Sequence, residues 1–305
     1  MRRRQFLIRS MTASASVALS PMILSSCETS LDGEKLTILH TNDMHSQIDP
    51  FKEGRYQGLG GMAVRASAIE QVRSQEDQVL LLDVGDVFQG TPYFNMFGGE
   101  LELKLMSEMG YDATTVGNHE FDNGLDGLSY AMQFANFPYL SANYDFSKNS
   151  IAGKVQPYQI FYKGKIKVGV FGLGIELAGL VNEKMYGNTV YQDPIAVAKE
   201  MTQELRRLKC DLIICLSHLG YDYGESPDPS DKMLAQEVSE IDVILGGHTH
   251  TFMEEPLLLT NSEGFTTTIN QVGWAGINLG RIDVEFTPKG KGMVAHRPIP
   301  LTSKT

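Results

Sequence analysis

Five short apolar or β-branched runs in this chain each end in a loop crowded with imidazole, carboxylate or amide groups. That recurrence restricts the folds open to it more than any other feature. The densest loop is Thr115-Val116-Gly117-Asn118-His119-Glu120-Phe121-Asp122-Asn123-Gly124, in which Gly117 lets the backbone turn sharply at the end of the run. A loop that only reversed the chain would not gather an amide, an imidazole and two carboxylates. Upstream stand Asp43-Met44-His45 and Gly85-Asp86-Val87-Phe88-Gln89-Gly90. Downstream stand Ser217-His218-Leu219-Gly220 and Gly246-Gly247-His248-Thr249-His250. Five of the seven histidines fall in these five loops. Polar loops that follow strands belong at the C-terminal edge of an α/β sheet, where ligands collect.

The rest of the chain supports that class. Residues 36–39, 79–82, 112–116, 212–216 and 241–245 read as strands. The run Val79-Leu80-Leu81-Leu82 has no polar alternation, as expected of a strand covered on both faces. Residues 58–73, 99–109, 125–134 and 231–238 read as helices, as does a segment opened by Asp193-Pro194 with Asp as N-cap. That last helix should bury Ile195, Ala198, Met201, Leu205 and Leu208. A tight Lys163-Gly164 turn joins 158–162 to 165–171 as a hairpin. Beyond Pro256 the runs 257–260, 265–272, 280–286 and 293–296 read as antiparallel strands. The simplest architecture is one α/β domain of two mixed sheets packed together, with helices outside.

A formal net charge of −11 over 305 residues argues against a basic face for nucleic-acid polymers. Cys210 and Cys215, five apart across a predicted strand, should point to opposite faces as buried small hydrophobes. Residues 1–27 are of another character. Arg3-Arg4-Gln5-Phe6-Leu7 resembles a twin-arginine export signal, and Leu24-Ser25-Ser26-Cys27 resembles a lipobox whose cysteine would be acylated. The plainer reading is an ordinary secretory peptide with a chance cysteine. The segment between is too short and too rich in Ser and Thr to span a bilayer. Residues 1–26 hold four arginines and no acid, so the remainder carries −15. The expected organisation is 1–27 export signal, 28–35 tether and 36–305 catalytic domain, exported to the periplasm or cell envelope and touching membrane only through a lipid anchor.

Each loop alone is weak, since a single histidine after a strand is more often structural. Together, Asp43, His45, Asp86, Asn118, His218, His248 and His250 decide the matter. Converging without a cation, they would leave polar atoms unpaired and carboxylates in repulsion. Oxygen and imidazole donors without thiolate suit two divalent ions (Mn, Zn or Fe) with one carboxylate shared, whereas calcium takes more oxygens.

These motifs, in this order and spacing, resemble the calcineurin-like metallophosphoesterase family. Phe121-Asp122-Asn123-Gly124 and Pro138-Tyr139-Leu140-Ser141-Ala142-Asn143 are similar to its bacterial 5′-nucleotidase branch. The resemblance implies a four-layer αββα sandwich. It implies that Asp43, His45 and His250 hold one metal and Asn118, His218 and His248 the other, with Asp86 bridging; the branch often has Gln where His250 stands. His119 matches the family's catalytic histidine outside the ligand set, oriented and kept protonated by Asp122. Two cations ~3.5–4 Å apart make hydroxide available at neutral pH for attack on a phosphate monoester. The resemblance allows cyclic-nucleotide phosphodiester or sulfur-ester hydrolysis at the same site. A metal- or nucleotide-binding lipoprotein is the non-enzymatic alternative, disfavoured by the His119–Asp122 pair. In this branch a second domain stacks the nucleobase. With the chain ending at Thr305, base recognition is expected from a separate nucleotidase C-terminal-domain protein, or the substrate is not a nucleotide. Tyr93, Phe94 and Phe97, near Asp86, should only pack the domain edge.

Overall fold

Strands that are apolar on both faces must be covered on both faces, and here they build two sheets that stack on one another. The computed structural model describes residues 30–288, 290–295 and 297–303. Leu31–Thr305 forms one compact unit. The first sheet orders Gly290–Ala295, Asn278–Thr287, Lys35–Thr41 and Val79–Asp83, with Ile299–Pro300 also on Asn278–Thr287. Its Lys35–Thr41 and Val79–Asp83 strands run parallel. A single parallel bridge from Leu82 to Ala113 attaches a small parallel sheet of Thr114–Thr115, Tyr139–Leu140 and Val155–Gln156. The second sheet orders Leu257–Thr260, Thr266–Asn270, Val243–Gly246, Leu212–His218, Ile166–Gly174 and Tyr158–Lys163. It is parallel in the middle and antiparallel at both edges.

Side-chain alternation sorts the core into layers. Ile38, Leu80 and Leu82 join Val168, Val170, Ile214, Leu216 and Leu245 between the sheets. Leu39 and Leu81 point the other way, onto Ile69 and Val72 of helix Met62–Arg73 and Leu103 and Met106 of helix Glu100–Glu108. Ile213, Cys215 and Ile244 pack outward on helices Pro194–Arg207 and Asp231–Glu237 through Ala198, Leu205 and Leu234. This is the expected αββα sandwich. The two sheets are also joined by a polar contact: fully buried His40 places Nε2 3.0 Å from Asn270 Nδ2.

Several local expectations shift. The helix read as 58–73 begins at Met62, because Gly58, Gly60 and Gly61 sit at φ of 79°, 78° and 92°. A Cβ on Gly61 would meet Pro50 Cδ at 2.7 Å, so that glycine is fixed by a close approach. The 112–116 run pairs only at Thr114–Thr115 and the Ala113 bridge, since Gly117 already turns its N–H to Glu120. Asp193 caps its helix as expected, accepting from Ala196 N at 2.8 Å. The buried face of that helix includes Ala198 and Leu205 as expected, with Pro194, Val197 and Thr202 beside them, while Ile195 and Met201 are only partly buried against the same core. Thr266–Asn270 is antiparallel to Leu257–Thr260 as expected, and on its other side runs parallel to Val243–Gly246. Cys210 and Cys215 are buried and free, but both face the helices. Cys210 precedes its strand, after Lys209 at φ 60°, so strand alternation does not reach it. Among the described residues no helix is long and apolar enough to cross a membrane. Cys27 and the export-signal motif lie outside the described residues.

Candidate active site

Strand ends of both sheets deliver the site. Asp43 and His45 follow Lys35–Thr41, Asp86 follows Val79–Asp83, and Asn118 follows Thr114–Thr115. From the second sheet, His218 closes Leu212–His218, while His248 and His250 follow Val243–Gly246. The structure brings all seven together. Ligand atoms of Asp43, His45 and His250 lie within 4.8 Å of one another, and so do those of Asp86, His218 and His248. Asn118 Oδ1 joins the second group, 2.9 Å from His248 Nδ1.

The backbone under these groups is unusual. Asp43, His45, Asp86, His248 and His250 have φ of 50°, 46°, 52°, 68° and 52°. A side chain in this left-handed region costs roughly 1–2 kcal/mol, which glycine would avoid. Five such residues in one place indicate that the side chains are required. The loops are also tied to each other. Asp43 N donates to Gly85 O and His45 N to Asp86 O, both at 3.0 Å. His119 N donates to Asp86 Oδ1 at 2.8 Å, and His248 N to the Asp43 carboxylate at 3.0 Å. Glycines make this closeness feasible: a Cβ on Gly247 would meet His218 Nδ1 at 2.8 Å, and one on Gly117 would overlap the Asp86 carboxylate.

One contributor was not legible in the sequence. The buried Glu120 carboxylate accepts from Asp86 N, Val87 N and Gly117 N at 2.9, 2.9 and 2.6 Å, fixing two donor loops at once. Burial, and then the Asp86 charge beside it, push its pKa up to about 8. The glutamate in Asn118-His119-Glu120 was the only signal available.

The donors fit divalent cations. His218 Nδ1 donates to Val84 O at 2.6 Å and His45 Nδ1 faces Phe88 O at 3.2 Å, so each neutral ring presents its Nε2 lone pair inward. His218 Nε2 is fully buried and makes no hydrogen bond, although Asp86 Oδ2 lies 3.1 Å away. His45 Nε2 and His250 Nε2 stand 2.9 Å apart, an arrangement that calls for a positive charge between them. Electrostatics agree. Burial favours a neutral His218, yet Asp86 and Asp43 outweigh it and raise the ring to about 10. Burial opposes the Asp86 charge, yet His218, His119 and His45 hold that carboxyl well below its usual range. Burial, with His218 beside it, lowers His248 to about 4. The centre favours cations, and a proton on His218 competes with metal for the place between the carboxylates.

His119 lies at the rim. Its Nδ1 is 2.9 Å from Asp122 Oδ2, and the two side chains are 31% and 30% exposed. The bond to Asp122 raises the His119 pKa against the opposing effect of burial. His119 also falls within 4.8 Å of ligand atoms of His45 and Asp86, so distance alone does not separate it from the donors. Its bond to Asp122 does. Of the aromatics read as edge packing, Phe94 is buried and stacked on Phe88, while the Tyr93 hydroxyl donates to Asp49.

A two-sheet sandwich whose strand ends converge on carboxylate, amide and imidazole donors defines the metallophosphatase class. The chain belongs to the calcineurin-like phosphoesterase family, whose model matches residues 36–252. It is 38% identical to a 5′-nucleotidase of Vibrio cholerae over 294 residues, covering 88% of this chain and 52% of that protein. It is 35% identical to the bovine 5′-nucleotidase over 294 residues, covering 88% and 50%. The crystal structure of a 5′-nucleotidase precursor from Thermus thermophilus superposes with a TM-score of 0.79 at 32% identity, covering 88% of this chain and 55% of that one. The chain thus spans about half the length of these relatives. The family implies divalent metals, and the donor groups above are the residues available to hold them.

Proposed function

We propose that this chain is an exported phosphomonoesterase of 5′-nucleotidase type that works with two divalent ions, Mn, Zn or Fe. The observation that carries this is the pairing of two donor groups with a histidine held by its own aspartate, His119 Nδ1 to Asp122 Oδ2 at 2.9 Å. A site that only bound metal would have no use for that pair. Asp43, His45 and His250 would hold one ion and Asn118, His218 and His248 the other, with Asp86 available to both. When bound, the ions supply Lewis-acid charge for the phosphoryl oxygens and acidify the attacking water. The chain's own residues do the rest. Asp122 fixes the imidazole and keeps it charged. His119 then neutralises charge on the phosphoryl group or gives its proton to the leaving alkoxide. Ser217, buried behind His218, has no nucleophilic role. Arg3-Arg4 and Cys27 make the protein a twin-arginine-exported lipoprotein of the cell envelope.

The test is hydrolysis of a nucleotide and phosphoester panel by the metal-loaded mature protein, beside its chelated form. Release of phosphate from monoesters that disappears on chelation is expected. Turnover of cyclic diesters or sulfur esters alone would overturn the assignment. Cys27→Ser should release the protein from the membrane fraction, because a chain held by lipid loses its hold with the acylated cysteine. A wild type already free of membrane refutes the anchor.

A further inference from the structure

Residues 270–275 supply none of the seven donors and lie beyond the matched residues 36–252, yet they brace the loops of Asp43, His248 and His250. Val272 N donates to Asn42 Oδ1 at 3.1 Å, and Asn42 Nδ2 donates at 2.6 Å to both Gly273 O and the Asp43 carboxylate. Ala275 N donates to Asp43 O at 2.7 Å. Fully buried Gln271 serves the loop after Val243–Gly246. Its Nε2 donates to Gly247 O at 2.6 Å, and its Oε1 accepts from Thr249 Oγ1 at 3.1 Å and from Thr251 N. One amide thus holds the residue before His248 and the residues on both sides of His250. The two histidines differ in what else holds them. His248 N donates to the Asp43 carboxylate at 3.0 Å, and its Nδ1 lies 2.9 Å from Asn118 Oδ1. His250 has a φ of 52° and a side chain 39% exposed. Beyond its fellow donors His45 and Asp43, its ring rests on Trp274, parallel to it with centroids 5.7 Å apart and an interplanar angle of 8°.

We propose that Gln271 is a positioning residue for His250, an inference that rests on the two-ion reading above. It fixes the backbone on either side of the ring, and Trp274 fixes the ring's plane. Binding of the ion that Asp43, His45 and His250 would hold therefore depends on Gln271. Binding of the ion that Asn118, His218 and His248 would hold depends on it much less, because Asp43 and Asn118 already secure His248. The amide suits this place because Nε2 donates to a carbonyl while Oε1 accepts from an N–H and an O–H. A carboxylate would repel Gly247 O, and an apolar side chain would leave a buried carbonyl and N–H unpaired. His248 and His250 both stand in the left-handed region, so the loop is held against its backbone preference. Released from Gln271, it would relax and carry the exposed His250 ring away from His45. Groups that orient a metal ligand typically contribute ~10–100-fold to affinity.

The metal-free full chain is dialysed against graded Mn²⁺, and bound ions are counted by metal analysis. The wild type should bind two. Gln271→Met should weaken one of them roughly 10–100-fold and the other far less. His250→Ala should weaken the same ion, and Gln271→Met added to it should cost little more, because the amide acts through that ring. Thr249→Val removes a hydroxyl that Gln271 Oε1 accepts from, at a half-buried position, and should weaken that ion by less. Thr249→Ser keeps the hydroxyl and should bind as the wild type does. This second pair decides the matter should Gln271→Met fail to fold. Wild-type binding in Gln271→Met or in Thr249→Val, equal weakening of both ions, or fully additive losses with His250→Ala overturns the proposal while leaving two ions in the wild type. A wild type that binds fewer than two ions refutes the two-ion reading itself, and the proposal with it.

Discussion

Asp86 is the residue on which most of the site's contacts meet: its backbone carbonyl holds His45, one carboxylate oxygen holds His119 N, and the other faces His218. Asp86→Asn should therefore lower metal content more than loss of any other single donor, and metal analysis of the purified variant decides it. Two ions per chain at native affinity would refute its bridging role. His119→Ala should keep both ions and lose roughly 10²–10⁴ in kcat, the usual worth of one positioned acid. Asp122→Asn should change kcat in the same direction by less. An emptied site in His119→Ala would make His119 a ligand, which its closeness to His45 and Asp86 makes the pointed alternative. The convergence of these residues was legible because each lies at or just after the end of a strand. Glu120 was not, because it acts by accepting backbone N–H groups, a role that any acid at a suitable distance could fill.

At the scale of elements, the strands between the sheets were legible because burial on both faces removes polar residues altogether. Helix ends were less so. Three glycines before Met62 look like tolerable helix positions until their positive φ is seen, and the deeper burial of Val197 and Thr202 than of Ile195 and Met201 depends on what Pro194–Arg207 packs against. His40 shows the same limit. The sequence leaves it outside the five loops without giving it a place; it is fully buried in Lys35–Thr41, and burial lowers its pKa to about 3. With an ordinary value of 6.5 in the unfolded chain, the unfolded state binds the extra proton between those two values. Its contribution to stability is complete above pH 6.5 and is lost as pH falls toward 3. His40→Gln should flatten that dependence. Urea midpoints at pH 7, 5 and 4, with chelator throughout, check it: the variant should lose less stability than the wild type on acidification, and parallel losses refute it.

At the scale of the molecule, the family and the sandwich were readable from the order of five motifs. The site also lies where the two sheets' strand ends meet: Asp43, Asp86 and Asn118 belong to one side, His218, His248 and His250 to the other. Ions bound there would clasp the sheets at one edge. Their removal would leave the apolar interlayer intact and free strained, mutually repelling loops. Chelated protein should thus show a lower Tm and faster amide exchange around residues 43–46, 85–90 and 247–250, with protection retained at Ile38, Leu216 and Leu245. Exchange rising equally in the interlayer would refute the clasp. It follows that a protease able to cut opened loops would act as an assay of metal loading. Chains that fold without acquiring their ions would be destroyed first, so the population that survives in the cell would be enriched in the competent form.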